Sequence, residues 1–186
     1  MKREDIREFF KEWYESNDSA HQIDHADSVC DLALLLNDRM SYGIIEEHII
    51  LAAYAHDIRS DLEGRKNPNV LAHDMIISHK LAIFDTISEQ AIYLIAKAVL
   101  EHRGSYKGDY TSNLSLLISA ADRGPIDYDI MYERSLVYNK GDHEGVRQHM
   151  KEKFGRTGYA KYPEFYKKMM LKEIEELYVR IEAQED

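Results

Sequence analysis

The stretch Leu51–Asp61, LAAYAHDIRSD, decides how the rest of the chain is read. It opens on small and apolar residues and closes on His56 and Asp57, side by side, before a polar run. Extended backwards, it places Ile45, Ile49, Ala52 and His56 on one face at helical spacing. A helix this apolar belongs inside a fold. An imidazole and a carboxylate delivered together where it opens into a loop form half of a metal site. The other half must come from elsewhere, and three further stretches can supply it: His21-Gln22-Ile23-Asp24-His25, Ala120-Ala121-Asp122, and the isolated His73 and His102.

Bulk properties narrow the class. At 186 residues the chain is long enough to bury a core of its own, and we expect one domain over residues 1–186. Hydrophobic content of 44% with 31% charged residues is globular rather than disordered. Only three prolines interrupt a composition rich in helix formers, so an all-α fold is expected. A formal charge of −10 argues against general nucleic-acid binding or an anionic membrane surface, both of which need a basic field. It leaves room for a small phosphate ligand held by a local metal. The lone Cys30 cannot form an intramolecular disulfide and suits a reducing compartment. No apolar run approaches the ~18 residues of a membrane span, and residues 1–10 lack a signal-peptide core. We expect a cytoplasmic protein.

Read in order, Ile6, Phe9, Phe10 and Trp13 predict a first helix over Glu4–Tyr14. Ser16-Asn17-Asp18-Ser19 is a candidate cap cluster for a second, from about Ala20 to Asn37. Ile44–Ile58 is the third. Arg59–Asn69, holding Gly64 and Pro68, is a polar loop of the kind that borders active sites. Helices are expected over His73–Phe84, from a Ser88 cap to about His102, and over Leu114–Asp122 before Gly124-Pro125. Ile126–Tyr138 and Asp142–Phe154 are weaker helical stretches, and Glu164–Gln184 reads as one long closing helix. No alternating strand or internal repeat is evident.

His25, His56, Asp57 and Asp122 form the proposed ligand set. Two imidazole nitrogens and two carboxylate oxygens suit Mn, Fe, Co, Ni or Zn rather than a thiolate-seeking ion. Four protein ligands leave octahedral positions open for water and substrate, as hydrolytic chemistry requires. His21 lies four residues before His25 on the same helical face, which suits a phosphate contact beside a ligand. The small residues before Asp122 would let its helix approach the third closely.

These residues carry a resemblance. His25, His56-Asp57 and Asp122 read as the H…HD…D pattern of the HD-domain superfamily of metal-dependent phosphohydrolases. The segment from His25 to Val29 resembles the family's H-x-x-R-V helix, with Asp27-Ser28 where a basic residue is usual. Leu51–Ile58 resembles its LLHDIG helix, and Ala120–Arg123 its ADR step. The match covers about residues 20–129, leaving 130–186 as C-terminal helices completing a compact HD-like bundle. The resemblance implies one divalent transition metal and hydrolysis of a small phosphorylated metabolite, foremost a nucleotide. Histidines between the HD pair and the distal Asp resemble those of dinuclear members that cleave cyclic dinucleotides or dinucleoside polyphosphates. His73, with His79 as competitor, and His102 are the candidates for that second metal.

The chain departs from the pattern after Ile58, where Arg59-Ser60-Asp61 replaces the usual Gly and Lys or Glu. Asp57 and Asp61 are then the catalytic candidates, with Asp61 or Glu63 standing in for the usual residue and Arg59 as a phosphate contact. Arg103 and Arg123, basic residues near the ligands in an acidic chain, are further substrate-binding candidates. Tyr106, Tyr110 and Tyr128 fit core or rim packing better than a base pocket, and His143 and His149 read as solvated. The altered segment keeps alive a third reading, a non-catalytic HD scaffold binding a nucleotide or protein. The aromatic and Met content of the last helices allows a homodimer.

Overall fold

A computed structural model describes residues 1–17, 21–61 and 66–183, the side chain of Tyr138 excepted. Among these residues the chain is all-α: ten α-helices, one 3-10 turn and no strand. The helices are α1 Arg3–Glu15, α2 Ile23–Met40, α3 Glu46–Ala55, α4 Pro68–Ile77, α5 Glu89–Glu101, α6 Asn113–Asp122, α7 Tyr128–Tyr138, α8 His143–Phe154, α9 Glu164–Met169 and α10 Leu171–Glu182. None of them is long and apolar enough to cross a membrane.

Helix α3 is the axis. Every residue from Ile49 to Ile58 is buried, because the helix has no polar face to turn outward. Ala52, Ala53 and Ala55 are wholly buried, and their short side chains let α1, α2, α5 and α6 all pack against it. The small residues Ser119, Ala120 and Ala121 do the same on α6. Helix α1 buries Ile6, Phe10 and Tyr14 at i, i+4 and i+8.

A polar clasp joins the first three helices. The Tyr14 hydroxyl donates to the carbonyl of Tyr54 over 2.9 Å. Arg7 donates to both carboxylate oxygens of Asp27, and the Tyr54 hydroxyl donates to the same carboxylate. Burial pushes the Asp27 carboxyl up, but Arg7, Tyr54 and Arg3 together hold it below the usual carboxylate range. The acid standing in place of a basic residue is thus a structural partner of α1. It lies two positions from His25, on a different face of α2.

Several expected boundaries move. Helix α4 begins five residues before the expected His73, with Pro68 in its first turn, where its fixed φ is preorganised. It ends before His79, whose φ of +52° is left-handed. The residues Ala82–Phe84 are therefore a separate 3-10 turn. The closing helix is two, α9 and α10, redirected at Met170 with no Pro or Gly to announce it. The N-cap position of α2 is Gln22, with the helix starting at Ile23. Asn17 instead turns inward, its amide donating to the carbonyls of His21 and Asp57. The remaining cap candidates Asp18 and Ser19, together with Glu63, Gly64 and Gln184, lie outside the described residues. Ser88 caps α5 as expected, accepting from Ala91 N.

Candidate metal centre

Four side chains from two helices and one helix end meet at the C-terminal end of α3. His25 comes from the first turn of α2, His56 and Asp57 follow α3, and Asp122 closes α6. Their ligand atoms all lie within 4.8 Å of one another. His56 Nε2 is 3.0 Å from Asp57 Oδ2 and 3.3 Å from His25 Nε2. His25 Nε2 is 3.1 Å from Asp122 Oδ1, and the remaining His–Asp separations are 3.8 Å. Ligands at ~2.1 Å from one ion and at right angles to each other stand ~3 Å apart. The donor set and its spacing therefore fit one divalent ion.

The orientation of His56 fits as well. Its Nδ1 lies 2.7 Å from the Ala53 carbonyl and must donate to it. In the neutral ring Nε2 then carries the lone pair and faces the other three ligands, the arrangement that fixes metal-bound histidines. His102 repeats the device: Nδ1 donates to the Val99 carbonyl over 2.7 Å, and Nε2 lies 3.7 Å from Asp57 Oδ1.

These groups also hold one another electrostatically. Burial opposes charge on all of them, yet Asp57 keeps the His56 imidazolium stable up to about 9, and His56 in turn holds the Asp57 carboxyl well below its usual range. Asp122 is held low by its hydrogen bond to His25 and by the nearby histidines. His25 goes the other way, down to about 4, through burial and, despite Asp122, the charge of Arg134.

Residues 22–123, more than half the chain, match the family model described as the HD domain. The chain belongs to the HD-domain family. Comparisons with curated proteins and with solved structures gave no match. HD domains are generally metal-dependent hydrolases that bind divalent metals, and the cluster could hold such an ion.

His25, Asp57 and Asp122 of the cluster form one wall of a cavity of about 320 Å³. Of the residues expected to bind substrate, His21, Arg103 and Arg123 line it and Arg59 does not. Arg59 Nε donates to Asp61 Oδ2 over 2.8 Å, and Asp61 also stays off the cavity wall. The turn presents Ser60 instead, whose hydroxyl donates to Asp57 Oδ1. The two second-metal candidates part company. His102 lines the cavity, whereas His73 lies off it with Nδ1 3.0 Å from Asp74. His79 is exposed and 3.5 Å from Glu89.

The other wall comes from helices beyond the family match. Arg134 of α7, and His149, Lys153 and Phe154 of α8, line the cavity with Tyr159 of the following loop. His149 is therefore a wall residue and not a solvated one. Burial lowers it below the ordinary histidine value. Arg134 reaches His25 itself, donating from Nη2 to Nδ1 over 2.9 Å. That bond selects the tautomer with its proton on Nε2, turned toward Asp122. An ion on His25 Nε2 requires the opposite tautomer, so ligation would release the guanidinium from His25. Nothing in the weakly patterned sequence of α7 signalled this contact, because it depends on how α7 folds back over α2. Tyr106, Tyr110 and Tyr128 stay off the cavity: the first two pack on each other, and Tyr128 stacks on Tyr132.

Proposed function

We propose that this HD domain is a metal-dependent phosphohydrolase for a small phosphorylated metabolite, foremost a nucleotide. The observation that carries the reading is the union, in one cavity, of a two-His, two-Asp ligand cluster and a cationic wall. His25, His56, Asp57 and Asp122 would hold one divalent ion, drawn from Mn, Fe, Co, Ni and Zn. When bound, the ion supplies Lewis acidity toward a phosphoryl oxygen and acidifies water.

The chain's own groups do the rest. Arg103 orients the phosphate and offsets charge on its oxygens as the phosphorus is attacked. His102 is buried, and burial lowers it below the ordinary histidine value. Its Val99 bond leaves Nε2 as a lone pair at the edge of the cluster, placed to accept a proton from the attacking water. Ser60 fixes the rotation of the Asp57 carboxylate. Phe154 and Tyr159 give the cavity a face on which a nucleobase can rest. The volume is at the lower end of the range for small-ligand pockets, which suits a single nucleotide.

The two-metal reading draws support from His102 and none from the placement of His73. The test is phosphate release from a panel of nucleotides and sugar phosphates, with protein reloaded with each of the five metals. Release that vanishes in His56→Ala supports the proposal. No release from any pair of metal and substrate would leave a binding scaffold as the better account.

A further inference from the structure

Arg123 is 5% exposed, yet two of its nitrogens, Nε and Nη2, are buried with no hydrogen-bond partner among the described residues. Its Nη1 is tied to the carbonyl and hydroxyl of Ser119, so the guanidinium is fixed and one edge is left bare. A buried donor without an acceptor is costly, and a protein carries such a cost most readily where a ligand relieves it. Lys153 of α8, half-buried, brings its ammonium to the same cavity, 4.8 Å from the centre of the Phe154 ring. It has no carboxylate partner within 4 Å among the described residues, and burial pushes its ammonium below the ordinary lysine value. The charges acting on it are Asp122 and the guanidinium groups of Arg134, Arg103 and Arg123. The one acid in that set is already engaged by His25. Four basic side chains thus share one cavity with the two ligand carboxylates Asp57 and Asp122, in a chain of net charge −10.

The backbone is shaped to bring them together. A Cβ on Gly104 would stand 3.2 Å from the Ala160 Cβ, so the loop after α8 sits directly on the segment that follows α5.

We propose that Arg123, Lys153 and Arg134 form an anion subsite, supplied largely by the C-terminal helices, for a second phosphoryl group beyond the one at the HD cluster. The substrate class is therefore a phosphoanhydride, such as a nucleoside di- or triphosphate, and not a phosphomonoester. The substrate assignment rests on the phosphohydrolase reading; the anion subsite does not. In the reaction, the oxygen of water bonds to the phosphorus at the cluster and the bridging P–O bond breaks. The electron pair leaves on the departing phosphate, whose charge Arg123 and Lys153 offset. One water proton ends on that phosphate, and the other on the new phosphate or in solvent. Arg134 joins the subsite once His25 no longer accepts its hydrogen bond.

Calorimetric titration of chelator-treated, full-length protein with inorganic pyrophosphate tests the subsite without turnover. Saturable binding is expected, weakened at least tenfold by Lys153→Gln and by Arg123→Gln, with circular dichroism confirming that each variant folds. Absence of binding, or equal binding by folded variants, overturns the subsite. The reloaded enzyme then tests the substrate class. A kcat/KM for nucleoside diphosphates at least tenfold above that for the matching monophosphates is expected, the ratio falling toward one in Lys153→Gln. A preference for monophosphates overturns that assignment. If pyrophosphate binds as expected but nothing is hydrolysed, the phosphohydrolase reading fails and the subsite stands.

Discussion

The two histidines that share a hydrogen-bonding pattern make the sharpest comparison among single residues. His56 and His102 each donate Nδ1 to the carbonyl three residues earlier and aim Nε2 at the acids. His56→Ala removes a donor whose orientation is already fixed. Protein purified without chelator should then lose more than nine-tenths of its transition metal, a loss consistent with ~10–100-fold or more in affinity, checked by elemental analysis. His102→Ala should retain about one metal per chain while kcat falls by roughly 10²–10⁴, the usual range for a positioned acid or base. His73→Ala should leave both metal content and kcat near those of the parent. Two metals per chain, with one lost in each of these last variants, would overturn that assignment in favour of a dinuclear centre.

Among the elements, α1 and the pair α7–α8 have separable tasks. Helix α1 clasps α2 and α3 through Asp27, and this clasp titrates. The folded carboxyl of Asp27 lies below its unfolded value. Its stabilisation is present above the ordinary carboxylate value near ~3.9 and disappears as pH falls through the lower folded value. Asp27→Asn should lower stability by about 1–2 kcal/mol at neutral pH, in line with hydrogen bonds to charged groups, and flatten the acid limb of the unfolding curve. Urea titration across pH checks both, and metal content should be unchanged because Asp27 is not a ligand. Helices α7 and α8 close the cavity, and α7 meets α2 through Arg134 and His25. A change there should read out in ligand affinity more than in folding.

For the whole molecule, ion binding ties α2, the end of α3 and α6 together, so metal should stabilise the native state globally. One site at a hundred times its dissociation constant adds about 2.7 kcal/mol, which for a domain of this size shifts Tm by roughly 5–10 °C. Calorimetric melts of reloaded and chelated protein measure it. A shift that survives in Asp122→Asn would place the ion elsewhere. Charge also acts at this scale: basic side chains gathered in one concavity of an acidic chain focus a field that favours small anions there.

The sequence by itself determined the helical class, the burial of the third helix and the four ligand candidates. Each depends on local information: apolar spacing around Ile49 and Ala52, small residues before Asp122, and an imidazole beside a carboxylate at a helix end. It did not determine which other polar residues reach the site. Arg59 and Asp61 are neighbours of the ligands in sequence but pair with each other off the cavity wall, because the turn after Ile58 directs Ser60 to Asp57 instead. Arg134, His149 and Lys153 lie in helices with weak apolar patterning, and only their packing over α2 and Gly104 brings them to the cavity. The metal-ligand pattern is written in short motifs whose chemistry constrains them locally. The cationic wall arises from charges distant in sequence that meet only when the C-terminal helices fold back, and that meeting is a property of the tertiary structure alone.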